Sequence, residues 1–77
     1  MNHEGVNIIL SEFGHNLRRI RENKGISLRQ LAAMLESDHT WLSEVERGLI
    51  DVKLSTVYKV AEALGIKANE LIPNINA

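Results

Sequence analysis

From about Glu12 onward, the apolar residues of this chain fall at helical spacing. Phe13, Leu17 and Ile20 stand at i, i+4 and i+7 and define one stripe along a first helix. Gly25 supplies a left-handed stop just after Lys24, a base well placed at a helix C-terminus. Ser27 opens a second helix. SLRQ is a capping-box pattern in which Gln30 can return a hydrogen bond to Ser27. Leu28, Leu31, Ala32 and Leu35 then follow at steps of three and four, carrying that helix to about Leu35. After the polar stretch Glu36-Ser37-Asp38, Asp38 is a good N-cap for a third helix from His39 to about Arg47. Its Leu42 and Val45 point inward, and Gly48 ends it.

Beyond the loop LIDVKL, Ser55 reads as the N-cap of a fourth helix with Val57, Val60, Ala61 and Leu64 on its buried face and Gly65 at its close. A short fifth helix, roughly Ala68–Leu71, ends before Pro73. No strand-like alternation, internal repeat or domain-separating linker interrupts the series. The pattern predicts an all-α, five-helix domain over residues 12–72, preceded by an N-terminal extension (1–11) and followed by a C-terminal tail (73–77).

Composition narrows the class. Seventy-seven residues make one small domain with little stability in reserve, and 44% hydrophobic content is ordinary for a globular chain. Cysteine is absent, which removes disulfides and cysteine-ligated zinc and suits a reducing cytosol. No apolar run approaches the roughly 18 residues of a membrane span. The start, MNHEGVNIIL, lacks the basic leader and cleavage site of a signal peptide, so a cytoplasmic location is expected. His3, His15 and His39 lack metal-ligand spacing. The order of Ser, His and acidic residues suggests no triad, and there is no Gly-rich phosphate loop. No enzyme activity, metal, cofactor or small-molecule ligand is expected. The net charge of −1 argues against a highly basic nucleic-acid coat, although residues 18–29 hold Arg18, Arg19, Arg21, Lys24 and Arg29 against the single Glu22.

Two short helices joined by a three-residue turn and clamped between others make a helix-turn-helix. On the third helix His39, Thr40, Ser43, Glu44 and Arg47 share one side, opposite Leu42 and Val45. All five are polar and able to hydrogen-bond base edges or phosphates. The surrounding segment SDHTWLSEVERG nevertheless carries Asp38, Glu44 and Glu46 against Arg47 alone, an awkward charge for a helix approaching phosphates.

The ordered set LRRIRENKGISLRQLAAML, TWLSEVERG, LSTVYKVAEALGI and ELI resembles the lambda-repressor-like, Cro/XRE family of bacterial and phage DNA-binding domains, over about residues 13–72. This resemblance implies a lambda-repressor-like fold with a central helix-turn-helix whose third helix enters the major groove of double-stranded DNA. His39, Thr40 and Glu44 match base-reading positions, with Ser43 beside them. The second helix would cross the backbone with Ser27 and Arg29 near a phosphate, and Arg47, Lys53 and Ser55 would grip the neighbouring backbone. Glu46 occupies the position that pairs with an arginine on the first helix, and Arg21 stands at the matching place. A largely buried Arg21–Glu46 ion pair is therefore expected. With Asp38 assigned to the N-cap, Glu44 is the one acid left facing the groove, where it can accept from cytosine N4 and disfavour other bases. Trp41 is expected partly buried beneath the reading helix.

The chain departs from the family's pattern in several places. Leu28 stands where many relatives carry Gln, which weakens one phosphate contact. Glu36 replaces a frequent Gly and calls for either a positive φ or an altered turn. The loop LIDV is apolar where relatives are commonly basic or polar. Val6, Ile8, Ile9 and Leu10 add an apolar patch ahead of the domain. A homodimer is therefore expected, built from some of Leu49, Ile50, Val52, Leu71, Ile72 and Ile75, unless part of that set covers the monomer core instead. The resulting expectation is a sequence-specific transcriptional regulator of repressor or controller type reading a palindromic operator. The alternative is a protein-interaction module, antitoxin-like or partner-binding, that reuses the fold.

Overall fold

The stripe of Phe13, Leu17 and Ile20 belongs to a helix that begins well before Glu12. A computed structural model describes the backbone of residues 3–74, with side chains from Gly5 onward. In it, α1 spans His3–Asn23. Most of the expected N-terminal extension is thus continuous with the first helix. Val6, Ile9 and Leu10 precede Phe13 by seven, four and three residues, so they prolong the same stripe.

Helices α2 (Leu28–Met34), α3 (His39–Glu46) and α4 (Leu54–Leu64) follow, and then a single 3-10 turn, Ala68–Glu70. The described residues contain no strand and four α-helices, which corrects the expected five. Between Gly65 and Pro73 the chain has room for little more than one turn. Proline removes a donor and restricts the residue before it, so the segment closes as a 3-10 turn. The Lys67 amide donates to Glu70 Oε2 at 2.9 Å and secures its start.

The start of α4 is also corrected. Its N-cap is Lys53, without a side-chain cap bond, and Ser55 lies in the first turn. The Lys53 carbonyl accepts from Thr56 (2.9 Å) and Val57 (3.1 Å), which begins the helix two residues ahead of the hydroxyl expected to cap it.

Every helix contributes to one buried cluster. It comprises Phe13, Leu17 and Ile20 from α1, Leu31 and Ala32 from α2, and Leu42 and Val45 from α3. Val57, Val60, Ala61 and Leu64 come from α4, and Leu71 follows the last turn. Leu71 was expected on a self-association surface. Its side chain is instead fully buried, and its carbonyl accepts from Asn16 Nδ2 at 3.1 Å, tying the C-terminal end to α1.

Gly14 sets how closely α1 approaches α3. A Cβ there would lie 2.5 Å from the carbonyl oxygens of both Val45 and Glu46. These are backbone atoms, so no rotamer change relieves the clash. Gly14→Ala is expected to lose about 1–3 kcal/mol of stability by overpacking, despite alanine's better helix propensity. Urea denaturation checks this, and an unchanged midpoint would contradict the close approach.

Candidate nucleic-acid interface

The α2–turn–α3 unit is assembled largely by local hydrogen bonds. Ser27 Oγ accepts from the Gln30 amide at 3.0 Å, and Gln30 Oε1 accepts from the Ser27 amide at 2.7 Å, completing the capping box. The Ser27 hydroxyl keeps its own proton available for donation. At the other end of α2 the Ser37 amide reaches the Ala32 carbonyl at 2.8 Å, and the Glu36 amide reaches that of Ala33 at 3.0 Å. This closure needs a left-handed residue, the position glycine usually takes, and Glu36 adopts it with φ 54°. The turn keeps the short geometry at a conformational cost of roughly 1–2 kcal/mol.

Asp38 then caps α3, its Oδ1 accepting from the Thr40 amide at 3.0 Å. It also stands 3.7 Å from His39 Nδ1. One face of α3 buries Leu42 and Val45, with Trp41 half-buried against the core. On the outward face Thr40 and Arg47 are exposed, while His39, Ser43 and Glu44 are half-exposed. Ser27 and Arg29 are exposed around the start of α2, and Lys53 and Ser55 at the start of α4.

Glu46 does not face outward. Arg21 Nε donates to Glu46 Oε2 at 2.6 Å and Arg21 NH2 to Oε1 at 3.0 Å, a bidentate pair between α1 and α3. The Arg21 and Glu46 side chains are only 10% and 6% exposed, respectively. The third guanidinium nitrogen donates to the Ile26 carbonyl at 2.9 Å, a contact that reading the sequence did not find. One side chain thus joins α1, the α1–α2 turn and α3. The hydrogen bonds that Arg21 donates to Glu46 raise the Arg21 pKa further above its already high ordinary value. Burial opposes that rise, and the charges of Glu46 and Glu22 assist it.

The residues expected to dimerise separate in the structure. Leu49 and Ile72 are exposed, Ile50 and Val52 are half-buried against the core, and Leu71 lies inside the core. Ile75 lies outside the described residues. Three further exposed apolar side chains escaped the sequence reading, Met34 (52%) on α2 and Leu54 (70%) and Tyr58 (61%), one turn apart on α4. Tyr58 stands one step past Val57 and so off the buried stripe, whereas Leu54, three residues before Val57, keeps the stripe's spacing and is exposed because it is the first residue of α4.

A family model described as a helix-turn-helix domain matches residues 12–71. The chain belongs to the helix-turn-helix domain family. Within it, the chain is a Cro/XRE-like member. A Neisseria hypothetical transcription factor from Neisseria meningitidis serogroup B is 41% identical over 58 residues. That match covers 75% of this chain and 55% of the relative, so the chain spans about half of its length. Control protein C.MunI from a Mycoplasma species is 34% identical over 71 residues, covering 91% of this chain and 96% of that protein. The crystal structure of the restriction-modification controller protein C.AhdI from Aeromonas hydrophila superposes with a TM-score of 0.78 at 40% identity, covering 82% of this chain and 96% of that one.

In this helix-turn-helix domain the charged side chains of Arg21 and Glu46 are both largely buried, and the acid that Arg21 holds comes from α3 itself. Among the described residues no group of three or more His, Asp or Glu could hold a metal ion, and no helix is long and apolar enough to cross a membrane.

Proposed function

We propose that this chain is a cytoplasmic, sequence-specific DNA-binding transcriptional regulator of the controller type. It reads the major groove of a partly palindromic operator as a homodimer, with half-sites about one helical turn (roughly 10 bp) or a multiple apart. One observation carries this reading. Pairing Glu46 with Arg21 leaves the outward face of α3 to His39, Thr40, Ser43, Glu44 and Arg47.

His39 and Thr40, at the start of the helix, would meet base edges first. A histidine donates to guanine N7 or O6, and a threonine methyl packs on the thymine methyl. Glu44, one turn further along, accepts from cytosine N4. Exposed Arg29, Arg47 and Lys53 neutralise phosphates, joined by the hydroxyls of Ser27 and Ser55. The uncapped start of α4 adds the positive end of a helix dipole beside Lys53 and Ser55.

Base and phosphate contacts have different signatures. Arg29→Ala is expected to weaken all duplexes by a similar factor, whereas Glu44→Ala relaxes preference at one base pair by about 1–3 kcal/mol. Selecting bound sequences from a random duplex pool with each variant reads this directly. A uniform loss from Glu44→Ala would refute its selective role. The second reading, a protein-interaction module, draws on the exposed pair Leu54 and Tyr58. It predicts that no duplex is enriched in such a selection.

A further inference from the structure

Trp41 is the single tryptophan of the chain, and base reading gives it no task. It stands four residues after Ser37, which lies just ahead of the Asp38 N-cap. On α4, Thr56 and Lys59 are three residues apart and share a side of the helix. These four residues and Leu35, at the end of α2, line a cleft of about 170 Å³ between the α2–α3 turn and the first turns of α4.

The lining is rich in donors and contains no carboxylate. Lys59 brings an ammonium, Ser37 and Thr56 bring hydroxyls, and the indole N–H of Trp41 can only donate. Among the described residues, none of these four side chains has a hydrogen-bond or ion-pair partner. No buried side-chain polar atom lacks a partner, so half-buried Trp41 and Thr56 keep their N–H and O–H open to solvent. Lys59 also borders an adjoining cleft with Glu36 and Glu62, yet it pairs with neither. Asp38, next to Ser37, is committed to the Thr40 amide. The donors are therefore free.

We propose that this cleft seats a backbone phosphate of the duplex, held by the Lys59 ammonium, the Ser37 and Thr56 hydroxyls and the Trp41 N–H. This rests on the DNA reading and extends it to four residues that reading does not use. One positive charge among neutral donors matches a phosphodiester, which carries one negative charge and offers its free oxygens as acceptors. The position suits it as well. Ser37 and Trp41 stand at the end of α3 that bears His39 and Thr40, and Thr56 follows Ser55 on α4. A phosphate fixed there sets how far that end of α3 enters the groove, since backbone contacts position what base contacts read. Lys59 on both protomers would steepen the salt dependence that Arg29, Arg47 and Lys53 give by themselves by about 2.

Trp41 emission reports on the cleft directly, because no other tryptophan contributes. The native chain and Lys59→Gln are titrated with a selected duplex, and with versions of it that carry one uncharged methylphosphonate at each position in turn. Lys59 is exposed, so the variant keeps its fold, which a circular dichroism melt checks. Emission is expected to change as the duplex binds, and Lys59→Gln to bind the intact duplex about tenfold more weakly. One neutralised position in each half-site should cost the native chain a similar factor and the variant almost nothing. A native chain that binds no duplex would overturn the DNA reading, and this proposal with it. A variant that binds the intact duplex and every neutralised one as the native chain does would overturn the cleft alone. Emission that answers to inorganic phosphate but not to the duplex would assign the cleft to a free anion, again against the proposal.

Discussion

Arg21→Met is expected to lower the melting temperature by roughly 12 °C or more, corresponding to a loss of about 3–5 kcal/mol. The substitution keeps much of the side chain's volume but leaves the Glu46 carboxylate, 6% exposed, without its bidentate partner. It also frees the Ile26 carbonyl, so the α1–α2 turn loosens together with the α1–α3 contact. A domain of this size has about 4–12 kcal/mol of total stability, so the variant stands near the edge of folding. Replacing both partners (Arg21→Met with Glu46→Leu) should recover most of the loss, because the cost lies in the stranded charge more than in the missing attraction. The sign of the pH dependence follows from the raised Arg21 pKa. Arg21's contribution is fully present below the ordinary guanidinium value and is lost only as pH rises through the higher folded value. Its share of the difference between native and variant should therefore stay constant from about pH 6 to about pH 10. A thermal melt of Arg21→Met that matches the native one would mean that the pair does not hold α3 in place.

Leu71→Ala should cost about 2–5 kcal/mol, the usual range for emptying a fully buried leucine site, and roughly 8 °C or more in melting temperature. Its decisive feature is independence from protein concentration. A core residue destabilises the monomer by the same amount at every concentration. An interface residue acts through association, so its effect changes with protomer concentration. Melts at two concentrations a hundredfold apart separate the two cases. A loss that shrinks at the higher concentration would return Leu71 to the dimer surface.

The signals that reading the sequence recovers are local ones. Ser27 with Gln30 and Asp38 before His39 are caps whose partners lie two or three residues away, and both α2 and α3 begin where those residues place them. The polar face of α3 follows from the helical period once those starts are known. Features set by tertiary contact are less visible. Gly14 looks like a costly glycine inside a helix until the carbonyls of Val45 and Glu46 arrive against it. The first turns of α1 were missed because the run Ile8-Ile9-Leu10 blurs the period that Val6, Ile9, Leu10 and Phe13 share. Ser55 outranks lysine as a cap by preference, yet α4 starts at Leu54 because the Lys53 carbonyl already accepts from the chain ahead. Leu71 sits at the end of a turn too short for any period to assign its direction.

The acidity of the segment SDHTWLSEVERG resolves in the same physical terms. Asp38 holds the Thr40 amide and Glu46 holds Arg21, so Glu44 alone brings a carboxylate to the outward face of α3. Whether that face meets DNA is most directly tested by titrating salt against binding to a selected duplex. Three bases on each protomer (Arg29, Arg47 and Lys53) make six on a dimer, for a slope of log affinity against log salt of about −5. Finding that slope supports the reading. No detectable binding at about 50 mM salt, or a slope near zero, would contradict it.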